Sequence, residues 1–152
     1  MIGAELLSSQ TLAVGWLIYV PVLIWAICRA PWVELFTDSR RQHLLFGTVF
    51  ALFLLWLVRR DFDTGVSYHF IGMTAVTLLL DWPLALVGGL VAQTGLVLLG
   101  RQDLAAVGVN GALLIALPVL VTECCAILVE SCLLYTSPSP RDLSTSRMPS
   151  SA

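Results

Sequence analysis

The chain has 152 residues, of which 58% are hydrophobic and 12% charged, with a formal net charge of −2. A soluble domain carries about 25% charged residues, so with a mean hydropathy of +0.89 the composition suits a chain solvated by lipid rather than water. All eight basic residues are Arg, no basic patch suggests nucleic acid, and no Gly-rich phosphate loop is found. The expected fold is an all-α polytopic membrane helical bundle.

After Met1 to Gln10, whose one charge is Glu5, an apolar run from Thr11 to Cys28 reads as the first membrane helix. Trp16, Tyr19 and Trp25 suit interfacial aromatics, and Pro21 is a tolerated kink. A signal peptide is disfavoured, because the run has no positive n-region and no A-x-A site, and Ile27 before Cys28 does not fit a lipoprotein cleavage site. Arg29 to His43 is a polar loop in which Pro31 breaks the helix, Trp32 and Phe36 sit at the interface, and Glu34, Asp38, Arg40 and Arg41 are solvated. His43 flanks the next helix, with a ligand role as the alternative.

The second run, Leu44 to Val58, is about fifteen residues long, near the lower limit for a span; Gln42 and Arg59 can snorkel to extend it. Arg59, Arg60, Asp61 and Asp63 make a polar turn before the third run, Val66 to Leu80. Asp81-Trp82-Pro83 breaks the chain again, with Pro83 placed to start a helix. In the fourth run, Leu84 to Leu99, Ala85, Gly88, Ala92 and Gly95 form a stripe of small residues suited to close helix packing in lipid, and Gln93 is expected to face another helix. The fifth run, Ala105 to Val129, repeats the pattern with Gly108, Ala112 and Ala116 and is expected to kink at Pro118. Glu123, near its end, is interfacial or functional, since a carboxyl at the centre of a span costs about 2.5–3.5 kcal/mol. The spans are expected near residues 11–28, 44–58, 66–80, 84–99 and 105–129, about five in all, within a membrane domain of residues 1–130.

Cys28, Cys124, Cys125 and Cys132 show no chelating or disulfide spacing and read as small apolar packers. Arg residues divide evenly between the two sides, three (Arg29, Arg40, Arg41) against three (Arg59, Arg60, Arg101). The first loop is taken as cytoplasmic and the amino terminus as outside. After Glu130 the chain turns rich in Ser, Pro and Thr, and YTSPSPRD…SRMPSSA resembles a translated sequencing-adapter read-through. Residues 131–152 are therefore expected to be a disordered, non-native tail, and the natural protein to continue with further helices.

His69 is the one histidine inside an apolar stretch, with Ser67 before it. On a continuous helix His69, Met73 and Thr77 would share a face, and imidazole and thioether both suit late first-row metals. The competing readings are a hydrogen-bonded helix-end His with Met as packing, and a proton relay between His69 and Glu123. No G-x-S-x-G, HExxH or paired carboxylates support hydrolysis, so an enzyme is not expected.

From Gly65 to about Val121 a series of motifs recurs in order: Ser67-x-His69, Gly72, Pro83, the central Gln93, and Val107-Gly108-Val109-Asn110. In this the chain resembles the permease family of energy-coupling-factor ABC transporters, of the CbiM/NikM type that takes up cobalt or nickel. The resemblance implies a multi-pass protein of the bacterial inner membrane, embedded in the lipid bilayer. It further implies ATP-binding subunits and a coupling transmembrane protein as partners, docked through the small-residue helix faces. Co2+ or Ni2+ would be the transported substrate rather than a tightly bound cofactor. His69 is the implied metal ligand and Asn110 the residue that orients the site, while Ser67, Met73, Gln93 and Glu123 are further candidates. The family carries a His directly after the initiator Met, where this chain has Ile2, and its SSSHP loop reads VSYHF here. The competing function is a non-transporting membrane assembly or scaffold protein, in which His69 and Gln93 only hydrogen-bond between helices.

Overall fold

The structure, a computed structural model, describes residues 2–58, 60–61, 67–68 and 72–136. Helix α1 (Ser9–Arg29) starts where the Ser8 side chain accepts the Thr11 N–H, continues unbroken through Pro21, and stops before Pro31. Its 21 residues reach about 31 Å, matching a hydrocarbon core of about 30 Å. A short helix, α2 (Trp32–Thr37), leads to Asp38, whose carboxylate accepts the Arg40 N–H and caps α3 (Ser39–Leu57). An antiparallel ladder of two residues a side follows, β1 (Arg60–Asp61) with β2 (Ser67–Tyr68). Then come α4 (Met73–Leu80) and α5 (Trp82–Leu98), with Pro83 in its first turn as expected. A 3-10 turn (Leu104–Ala106), α6 (Val107–Gly111), a π turn (Ala112–Ala116) and α7 (Leu117–Thr136) form one long apolar rod. The π turn lies immediately upstream of Pro118, so the expected kink takes the form of a local rewinding around the missing donor.

The bundle is all-α in its spanning parts. Ser9–Arg29 and Leu104–Leu133 are both long and apolar enough to cross a membrane, and with only 22% of each window buried they offer most of their surface to lipid. The third expected span is different. Residues 67–68 lie in the ladder, and α4 has only 8 residues, about 12 Å, which cannot cross the bilayer. The backbone explains this. Gly72 at its start has φ +65° and Asp81 at its end has φ +68°, so neither can extend an α-helix. Met73 opens the helix, so the expected common face of His69, Met73 and Thr77 is not a feature of α4; His69 itself lies outside the described residues. At the other end of the chain α7 continues to Thr136, so the boundary expected after Glu130 falls within a helix.

Small residues decide the packing. An added Cβ on Gly88 would lie 3.1 Å from Val49 Cγ2, and one on Gly95 2.8 Å from Phe53 Cε2, so α5 is seated against α3. An added Cβ on Gly108 would lie 2.6 Å from the Trp16 backbone nitrogen, and one on Gly15 2.6 Å from that of Val109. At Gly111 it would strike the Tyr19 ring. The α1 and α6 backbones are thus in direct contact. The small-residue faces, expected to dock partner subunits, are used inside the chain. Tyr19, expected at an interface, is fully buried, whereas the four cysteines, expected to pack inside, are all exposed. Trp25 and Trp82 meet at 4.4 Å between ring centroids, tying the end of α1 to the start of α5 at one level.

Close contact through backbone atoms leaves no room for relief by side-chain rotation. Gly108→Ala is expected to lower thermal stability in detergent by about 1–3 kcal/mol. Gly47, on α3, has nothing within 4 Å of an added Cβ, so Gly47→Ala should raise stability by about 0.5–1 kcal/mol through helix propensity. Circular-dichroism melts of the two variants check the contrast.

Candidate functional site

Asn110 lies in α6 with 1% of its surface exposed, where an amide without partners would be costly. Its partners come from the amino-terminal segment. The Ile2 N–H donates to Asn110 Oδ1 at 2.9 Å, and Asn110 Nδ2 donates to the Ile2 carbonyl at 3.0 Å. One side-chain amide thereby satisfies both main-chain groups of residue 2, as a neighbouring strand would. Residues Ala4–Leu6 form a 3-10 turn beside this clamp, and the Ala4 N–H reaches Asp103 Oδ2 at 3.5 Å.

Two further interactions hold the platform. Trp16 Nε1 donates to the Ala105 carbonyl at 3.3 Å, fixing α1 to the start of the last rod. The buried Tyr19 hydroxyl donates to Gln93 Oε1 at 3.2 Å, while Gln93 Nε2 donates to the Val107 carbonyl at 3.2 Å. Gln93 therefore joins α1, α5 and α6 one helical turn before Asn110, and its placement against other helices agrees with the expectation from sequence. Its role is to hold, since both ends of its amide are engaged inside the bundle. At the adjoining turn, Gln102 is 8% exposed and neither side-chain polar atom has a partner among the described residues.

The remaining candidates are dispersed. Ser67 is in the ladder near this end of the bundle, and its side chain and His69 lie outside the described residues. Met73 is fully buried in the hydrophobic core, and Thr77 Oγ1 returns a hydrogen bond to the Met73 carbonyl at 2.7 Å. Glu123 is half-buried on α7, beside Thr122, which bonds to Thr74 Oγ1 at 3.3 Å. His43 is exposed, its Nδ1 directed at the Ser39 carbonyl one turn back in α3. Among the described residues no three of His, Cys, Asp or Glu cluster as a metal site would. Sequence reasoning placed Gln93 facing another helix and Asn110 as an orienting residue, but missed their partners: the Tyr19 hydroxyl for Gln93 and the Ile2 backbone for Asn110. The available signal was the cost of two amides in apolar helices, together with Tyr19 lying four residues from Gly15 on one face of α1.

What the arrangement can do follows from its donors. A seated amino-terminal segment offers main-chain nitrogen and oxygen atoms at a fixed position near the end of the bundle. The nitrogen is a protonated amide bonded to Asn110 Oδ1, and the oxygen is a carbonyl that accepts from Asn110 Nδ2. Among protein families, the one described as cobalt uptake substrate-specific transmembrane region (CbiM) matches residues 2–145. No curated protein and no solved structure matches the chain.

The Tyr19 to Gln93 contact makes a separate prediction. Tyr19→Phe should cost about 0.6–1.7 kcal/mol, the range for interhelical hydrogen bonds in lipid. In a double-mutant cycle with Gln93→Leu, unfolding in mixed micelles should show that coupling vanish once either partner is gone.

Proposed function

This chain belongs to the cobalt uptake substrate-specific transmembrane family, and from that membership we propose that it is the metal-capturing permease of an energy-coupling-factor ABC transporter, with divalent cobalt or nickel as its substrate. The observation that carries the proposal is the seating of Ile2 on Asn110. Ordering a flexible segment costs about 1–2 kcal/mol per residue. A segment already held by Asn110 and Asp103 meets that cost before the metal arrives, so its backbone is already in position.

Asn110 also sets a chemical condition. While its Oδ1 accepts the Ile2 N–H, that nitrogen keeps its proton. A metal that takes the nitrogen as a ligand must release the proton and the bond to Oδ1. The Nδ2 bond to the Ile2 carbonyl can persist and hold the segment in place. Capture through this nitrogen is therefore coupled to proton release, as metal binding to protonated ligands generally is. With Ile at position two, the imidazole in the set is that of His69, and one imidazole binds more weakly than two. Transport then draws on ATP-binding subunits and a coupling transmembrane protein in the bacterial inner membrane.

Cobalt and nickel uptake by cells carrying the gene with its transporter partners tests the reading. His69→Ala should abolish uptake; undiminished uptake in that variant would sink the ligand assignment. Asn110→Ala should weaken apparent metal affinity by about 10–100-fold, the usual effect of losing a residue that orients a ligand. Asn110→Asp retains an acceptor for the Ile2 N–H and should fall between the two.

A further inference from the structure

Two adjoining depressions lie along α3 and α4. One, about 260 Å³, lies at the level of the α4–α5 turn and is lined by Arg41, Asp81, Leu44, Leu79, Leu80 and Leu84. The other, about 410 Å³, is apolar; Gly47 and Leu79 line it, as do Leu55 and Gly72 further along. Leu79 belongs to both, so a polar mouth opens into an apolar groove. From Gly47 to Leu55 the groove follows α3 for about 12 Å, close to the roughly 15 Å of hydrocarbon in a single leaflet.

Three features of the mouth and groove go together. The mouth carries one cation and one anion that do not pair with each other. Arg41 binds Glu34 at 2.7 Å, leaving other guanidinium donors open, and the Asp81 carboxylate has no hydrogen bond or ion pair among the described residues. Asp81 holds φ +68° and ψ 155°, a region nearly reserved for glycine, yet its side chain does not cap α5. Finally, Gly47 sits inside α3 with nothing within 4 Å of an added Cβ. No helix needs to approach there, so the glycine weakens α3 while leaving the groove open. The Trp25–Trp82 pair marks this level as the membrane interface.

We propose that this groove binds one zwitterionic aminophospholipid of the phosphatidylethanolamine type. Its ammonium meets the Asp81 carboxylate, its phosphate meets Arg41, and one acyl chain lies along Gly47 to Leu55. The separated charges match the two ends of that headgroup. A primary ammonium can donate charge-assisted hydrogen bonds to Asp81, which the quaternary ammonium of phosphatidylcholine cannot, and an anionic phosphatidylglycerol offers Asp81 only neutral hydroxyl donors and no cation. This site lies at the opposite end of the bundle from the Ile2–Asn110 clamp and does not depend on the metal reading.

Native mass spectrometry of the full chain, released from nanodiscs holding equal parts phosphatidylethanolamine, phosphatidylcholine and phosphatidylglycerol, tests it. One retained phosphatidylethanolamine is expected, enriched about tenfold over the others, as one charge-assisted hydrogen bond would give. Asp81→Asn should erase the enrichment over phosphatidylcholine. Gly47→Leu, which fills the groove where there is open space, should abolish retention without lowering the melting temperature or the helical content. Equal retention of all three lipids by the wild-type chain would mean an unselective lipid shell and overturn the proposal. Preference for phosphatidylglycerol would overturn it too, as would unchanged retention in Gly47→Leu. So would a Gly47→Leu chain that keeps its lipid but loses a partner membrane protein, since the groove would then seat a helix.

Discussion

In lipid there is little hydrophobic drive to bring two helices together, so contact between backbones must supply the attraction through dispersion and close fit. Here that contact is the crossing of α1 with α6, where Gly15, Gly108 and Gly111 leave no space for a Cβ. The crossing does more than hold the bundle. Ile2 lies only seven residues before the start of α1, so wherever α1 settles on α6 determines where the amino-terminal segment can reach. A slip of one helical turn, about 5.4 Å, would carry Ile2 beyond the reach of Asn110. The clamp on Ile2 is thus a consequence of three glycines at the α1–α6 crossing.

Polar groups follow from the same constraint. Each buried amide on the α5 and α6 helices has found its partner on α1 or on the segment leading into it: Gln93 on Tyr19, Asn110 on Ile2. These bonds give the crossing a unique register, which apolar packing alone would leave loosely defined. Glycine-mediated contact and amide satisfaction act together, because only a helix pair this close brings a tyrosine hydroxyl within reach of a glutamine on a third helix. The opposite end of the bundle is organised differently. There the charges of Arg41, Glu34 and Asp81 stand at the interface beside tryptophans, and the two depressions lie along α3 and α4.

Hydropathy, proline placement and isolated polar residues already spoke for much of this protein. Long apolar runs mark α1 and the last rod, each long enough for a bilayer, which requires about twenty apolar residues per crossing. Pro83 marks the start of α5, since proline loses no needed donor there. Gln93 had to face a partner, because an unpaired amide in hydrocarbon is costly. The order of motifs around Ser67, His69 and Asn110 pointed to the family that the match over residues 2–145 bears out. The third run misled, since Val66 to Leu80 has a span's hydropathy while Gly72 and Asp81 take backbone angles that confine the helix to Met73–Leu80.

The sequence by itself therefore determined the solvent of the chain, its helical class and the family, because composition and periodicity are local properties that a bilayer reads segment by segment. Only the tertiary structure decided which small-residue faces are spent inside the bundle, that Tyr19 is a buried donor, and that Asn110 holds the backbone of Ile2. Those outcomes join residues as much as 108 positions apart. Pairing at that distance is set by how helices cross, and no local pattern encodes a crossing.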